Sequence, residues 1–140
     1  MKTDHPCGDA AFLVDQPDVA ALGGLARLGG VTGTDAAGDE LARLVAAEDR
    51  IADFLARSET VGTIVKTRYV SGGQQLMRLD EEEIAVGVFE RDDVFSNASA
   101  ILLSDYAKGV VTERLIRAAL YQAQQTGAVV IVDPKGRDFA

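Results

Sequence analysis

The stretch AILLSDYAKGVVTERLIRAALYQAQQTGAVVIVDPKG, residues 100–136, decides the fold. Ala100 to Leu103 and Ala128 to Val132 are continuous apolar runs, each too short for a helix, and they bracket a segment of helical period from Thr112 to Gln125. In that segment Leu115, Ile116, Ala119, Leu120 and Ala123 form one apolar stripe. Thr112 stands where an N-cap belongs, and Gly127 where a left-handed C-cap is expected. Strand, helix and strand in this order form a βαβ unit, and strands without alternating polarity imply a parallel sheet covered on both faces. The fold class is therefore α/β.

Open parallel sheets bind ligands beyond the carboxyl ends of their strands. The first strand runs out into Ser104-Asp105-Tyr106-Ala107-Lys108-Gly109, the second into Asp133-Pro134-Lys135-Gly136. Parallel strands bring both segments to one edge, with Asp105 and Asp133 as acceptors and Lys108 and Lys135 as donors, a mixture suited to sugar hydroxyls and phosphates. The competing reading is that these side chains only cap and solvate the two loops.

Upstream, residues 61–80 read as a β-hairpin turning at Ser71-Gly72-Gly73. A three-residue loop would set Lys66 opposite Arg78 and Arg68 opposite Leu76, gathering Lys66, Arg68 and Arg78 on one face. Like charges that repel one another are relieved by an anion, so this face is a candidate phosphate seat. A two-residue loop would change the pairing, and Asp80 on the same face would screen the charge. Glu81-Glu82-Glu83 reads as a solvated strand exit, because adjacent carboxylates on extended chain do not converge.

Nearer the N-terminus, Leu25 to Val31 reads as a strand, Thr32 to Asp35 as a turn, and Thr34 or Asp35 as the cap of an amphipathic helix. Its apolar positions are Leu41, Leu44 and Val45, with Ile51 and Leu55 as a continuation beyond a break near Glu48. Gly29-Gly30-Val31-Thr32-Gly33 lacks both the Walker lysine and the dinucleotide-binding spacing, so no nucleotide loop is read there. Residues 1–24 form a poorly defined N-terminal segment, and residues 25–140 are read as one domain.

A chain of 140 residues can bury a core. With 14 Lys and Arg against 22 Asp and Glu, its net charge of −8 argues against nucleic acid, whose phosphates demand a concentrated basic surface. No apolar run suits a bilayer and no secretory signal is legible, so the expected location is the cytoplasm. Cys7 and His5 supply at most two metal ligands, and no Ser/His/Asp or Cys/His arrangement suggests acyl transfer.

Taken together, KTRYVSGGQQLMRLDEEE (residues 66–83), ILLSDYAKGVV (101–111) and VIVDPKGRDF (130–139) resemble the ribokinase/PfkB-type sugar kinases. Within that family the resemblance runs to heptose 7-phosphate kinase domains of bifunctional kinase/adenylyltransferases, and RLGGVTGTDAAGDEL (27–41) fits the same family's early βα unit. The resemblance covers residues 22–140. It implies a partial ribokinase-like fold, a parallel sheet with flanking helices, in which the hairpin belongs to a small lid over the sugar. It also implies ATP and Mg2+ as cofactors, with Asp133 toward the nucleotide, and phosphorylation of a heptose 7-phosphate for ADP-heptose and lipopolysaccharide synthesis. Arg78, Asp105, Lys108 and Lys135 become the expected substrate contacts, with Lys66 and Arg68 next.

The family's N-terminal glycine pair has no convincing counterpart in residues 18–24. Its GAGD segment, which holds the catalytic base and stabilises the transferring phosphoryl group, is absent. No catalytic residue is assigned. The expectation is a truncated domain, weakly active or inactive alone, whose uncovered sheet edge a homodimer would protect. A non-catalytic sugar-phosphate-binding module and a remnant without function are the alternatives.

Overall fold

The computed structural model describes residues 24–134, and the expectations for Cys7, His5 and Lys135 lie outside them. In chain order the elements are β1 (Ala26–Gly33), α1 (Ala36–Ala46), β2 (Ile51–Ser58), β3 (Val65–Ser71), β4 (Gln74–Glu81), a 3-10 turn (Asp92–Phe95), β5 (Ala100–Asp105), α2 (Glu113–Thr126) and β6 (Val129–Pro134). β1 pairs with β2 and β5 with β6, both parallel, while β3 and β4 form an antiparallel hairpin. Among the described residues no ladder joins these three pairs.

The two parallel pairs meet instead through side chains. One core gathers Val31 of β1, Phe89, Val94 and Phe95 around the 3-10 turn, Ile101 and Leu103 of β5, and Leu115, Ala119 and Ala123 of α2. Phe54 and Ala56 of β2 pack against it. Phe89, Leu103 and Leu115 are fully buried, each such side chain worth roughly 1.5–3 kcal/mol. Arg27 donates to the Val94 and Ser96 carbonyls, and the Arg27 and Arg91 guanidiniums lie 5.7 and 4.8 Å from the Phe54 ring centre. Polar and aromatic contacts thus tie the first pair to the second where backbone pairing does not.

The βαβ unit forms as its sequence requires. Thr112 Oγ1 accepts the Leu115 N–H at 3.2 Å, and Gly127 ends α2 in the left-handed conformation. Ile101 and Leu103 of β5 are covered, whereas on β6 Val129, Ile131 and Val132 stand exposed. One face of β5 is thus fully covered, the other only in part through Leu102 and Ser104, and β6 is covered less than β5. Among the described residues α2 is the helix that packs on β6.

Two further expectations change. Ile51 and Leu55 belong to β2 and not to a continued helix: α1 ends at Ala46, and turn bonds from Glu48 N–H to the Val45 carbonyl and from Ile51 N–H to the Glu48 carbonyl redirect the chain. A spacing of four is even, so it fits one face of a strand as well as one face of a helix. Leu55 and Ile51 use it to pack with Leu28, Val45 and Leu41 in a second, smaller core.

The hairpin turns on two residues. Gly72 and Gly73 have φ of +58° and +80°, the pair of positive angles a tight hairpin turn demands. Ser71 pairs with Gln74, a bulge follows between Tyr69 and Val70, and beyond it Arg68 faces Arg78 while Lys66 faces Asp80. The shorter loop moves Arg78 from Lys66 to Thr67, and the bulge moves it one residue further, to Arg68.

Candidate functional site

The site begins where β5 ends. The Asp105 carboxylate accepts the Ala107 N–H at 2.8 Å, closing a turn that carries Lys108 and Gly109 back across the strand end. The Ala85 N–H donates to the Lys108 carbonyl at 2.8 Å, fastening the segment after β4 to this loop. Gly109, at φ +84°, lets the two segments touch: a Cβ there would lie 2.7 Å from Val86 Cγ2 and 2.8 Å from the Val86 nitrogen. The hairpin is thus pinned at its exit to the carboxyl edge of β5.

Side-chain charge follows the same junction. Lys66 and Arg68 share one face of β3, and across the ladder Asp80 and Arg78 share that face on β4. Arg78 Nε lies 2.8 Å from Asp80, and the Glu82 carboxylate, one step past the strand, takes Lys66 at 3.2 Å and Lys108 in a short ion pair. Hydrogen bonds from Lys108 first, then Lys66, hold the Glu82 carboxyl below its ordinary pKa. Lys66, Arg68 and Arg78 therefore share the hairpin face that Glu82 joins to Lys108 of the β5 loop, with Asp80 and Glu82 interposed.

At the base of the hairpin a second network holds the lead-in strand. Asp35 caps α1 by accepting the Gly38 N–H at 2.8 Å, and also accepts the Thr63 N–H and hydroxyl at 2.8 and 2.7 Å. Thr63 Oγ1 accepts the Gly33 N–H, and Glu83 accepts the Gly62 N–H at 2.7 Å. Burial would raise the Asp35 carboxyl, but the Thr63 and Gly38 N–H groups, the Thr63 hydroxyl and the Arg57 charge together hold it below its ordinary value. β1, α1 and both legs of the hairpin are fastened by Asp35 and Glu83.

Of the expected contacts, Lys66, Arg68 and Arg78 share the hairpin face, and Lys108 is joined to it through Glu82. Asp105 closes the turn that carries Lys108. Asp133 is exposed on β6 opposite Ser104, so strand alternation sends it to the face that Asp105 does not use. Glu82, Glu83, Asp35 and Thr63 were not singled out from the sequence as parts of the site. Only Glu82 left a usable signal, its even spacing from Arg78 and Asp80.

A cavity of about 720 Å³ opens at the opposite end of the strands, lined by Ala26, Arg27, Ile51, Phe95, Ala100 and Ile101. It lies at their amino ends, away from the lysines. Among the described residues no three His, Cys, Asp or Glu side chains converge to hold a metal ion. The N-termini of α1 and α2, natural seats for a nucleotide phosphate, are closed by Asp35 and Thr112. The described residues thus present no grouping that fits ATP and its metal.

The family model of the pfkB family carbohydrate kinases matches residues 19–140. This chain belongs to that family. The bifunctional protein HldE of Caulobacter vibrioides is 41% identical over 130 residues, which cover 88% of this chain and 26% of that protein. HldE of Methylobacillus flagellatus is 38% identical, over 98% of this chain and 30% of its own length. Among solved structures, fructokinase from Xylella fastidiosa superposes with a TM-score of 0.59 at 22% identity, covering 85% of this chain and 38% of that one. Ribokinase from Giardia lamblia gives 0.59 at 16%, with 81% and 36% covered.

These two structures place the pfkB-family chain in the ribokinase-like fold. The chain spans between a quarter and a third of the HldE proteins it matches. No described helix is long and apolar enough to cross a membrane.

Proposed function

We propose that this chain contributes the sugar-phosphate-binding part of a heptose 7-phosphate kinase, in which an ATP-dependent reaction at the anomeric hydroxyl yields the 1,7-bisphosphate. The observation that carries the reading is the placing of Lys66, Arg68 and Arg78 on one hairpin face, whose Lys66 Glu82 joins to Lys108 of the β5 loop. Ammonium and guanidinium groups on two elements grip a phosphate from two sides. Asp105 at the strand end accepts sugar hydroxyls, and Lys135 extends the donor set. The resemblance of residues 66–83 and 101–111 to heptose kinases, and the HldE relatives, support the choice of sugar.

Phosphoryl transfer depends on positioning and on stabilisation of spreading negative charge. With no catalytic base assigned in this chain, binding is its expected contribution and turnover by the chain alone is weak or nil. The reaction belongs to ADP-heptose synthesis for lipopolysaccharide, and the cytoplasm, where ATP is at hand, is its proposed location. Calorimetric titration with heptose 7-phosphate, run beside an assay for ADP release with ATP and Mg2+, tests the reading. Saturable binding weakened more than roughly tenfold by Arg78→Ala or Lys108→Ala is expected, a loss matching about one charge-assisted contact. Unchanged affinity in both variants would remove the site, and sugar-dependent ADP release would overturn the expectation of a binding part alone.

A further inference from the structure

Glu82 occupies the position in which an anion would be most useful. Its carboxylate bridges Lys66 of the hairpin and Lys108 of the β5 loop, and the three side chains are partly exposed, at 16%, 22% and 28% for Lys66, Lys108 and Glu82. Glu82 thus serves two ammonium groups, with Asp80 facing Lys66 across the ladder. A phosphate dianion in the same place would offer both ammonium groups more charge and more acceptor oxygens.

We infer that Glu82 is an internal stand-in for a phosphate: it occupies the Lys66–Lys108 subsite in the ligand-free chain and is displaced by the phosphate of an incoming ligand. The inference rests on the reading of these lysines as phosphate contacts and adds that the subsite is closed by the chain's own carboxylate. Three observations carry it. β4 ends at Glu81, so Glu82 can swing away without breaking a ladder bond. Its neighbours do the holding: Glu83 binds the Gly62 N–H and Ala85 binds the Lys108 carbonyl, so the hairpin base stays closed when Glu82 leaves. The face already carries a second such arrangement, Asp80 against Arg78, leaving Arg68 beside them to meet the ligand.

A site open only part of the time binds with an affinity reduced by the open fraction, so a carboxylate seated nine-tenths of the time costs about tenfold. Titration of the full chain with inorganic phosphate, comparing wild type, Glu82→Gln and Glu82→Gln combined with Lys108→Ala, is the test. Roughly tenfold tighter binding by Glu82→Gln, abolished in the double variant, is expected. Equal or weaker binding by a Glu82→Gln chain that melts like wild type would show that Glu82 is only a structural clasp.

Should that variant fail to fold, carbon NMR of the Glu82 carboxyl in wild type decides. Saturating phosphate should move the signal toward that of a free glutamate, and an unmoved signal with phosphate bound overturns the inference. Heptose 7-phosphate separates the two readings. If wild type binds it through Lys108 but Glu82→Gln brings no gain, the sugar site stands and the stand-in fails. If Glu82→Gln gains phosphate affinity while heptose 7-phosphate binds no better than phosphate, the stand-in stands and the sugar reading fails.

Discussion

The β5–α2–β6 unit and the β3–β4 hairpin are both strand pairs of similar length, held in opposite ways. In the first, Leu103, Leu115 and Ala119 are fully buried and each end of α2 is capped. In the second, every residue of β4 is exposed, and Leu76, Met77 and Leu79 show large parts of their surface to water. The unit rests on apolar burial. The hairpin rests on its ladder and on polar fastenings at its base: Asp35 with Thr63, Glu83 with Gly62, Glu82 with two lysines, and the packing of Val86 on Gly109.

That difference separates scaffold from working part. Apolar burial is indifferent to charge and small ligands, whereas ion pairs between partly exposed groups are weak and exchangeable. A hairpin proposed to release and regrip a charged ligand is better fastened by the second kind. The candidate phosphate contacts sit on or beside the hairpin.

The contrast breaks most visibly in the core. Leu103→Ala should cost about 2–5 kcal/mol in urea unfolding, since the side chain is wholly enclosed by β5, α2 and the 3-10 turn. A loss under about 1 kcal/mol would mean the core is looser than its burial implies.

At the hairpin base, Asp35→Ala should cost about 1 kcal/mol as a lost N-cap. Because the folded Asp35 carboxyl is held below its ordinary value, its contribution is present above that value and disappears as pH falls through the folded one. The stability gap between wild type and Asp35→Ala should therefore narrow as pH is lowered from about 5 toward about 3. A gap of constant size across that range would show that the carboxylate's charge adds nothing to the cap.

The smallest effect is expected on β4. Leu76 is 67% exposed, and Leu76→Ser should shift global stability by no more than about 0.5 kcal/mol. A larger loss would place hairpin and core in one cooperative unit.

Much of this was legible in the chain itself. Residues 100–134 declare strand, helix and strand because apolar runs, an N-cap threonine and a C-cap glycine agree with one another, and each acts over a few residues. The hairpin's position and its cationic residues were legible for the same reason. Its register was not: a one-residue change in loop length or a bulge re-pairs every side chain, and Arg78 moved from Lys66 to Arg68 accordingly. The cations of the candidate site were legible and their pairing was not.

The sequence by itself determined the βαβ unit, the cap of α2, the place of the hairpin and the motifs that mark the family. All of these depend on local periodicity or on short ordered strings of residues. Only the tertiary structure decided that residues 51–58 form a strand beside β1, since an even spacing suits helix and strand alike and pairing selects between them. It also decided that Glu82, one of three adjacent glutamates, reaches two lysines 16 and 26 residues away along the chain. Ion pairs form through space, and which carboxylate meets which ammonium is set by the fold that brings the segments together.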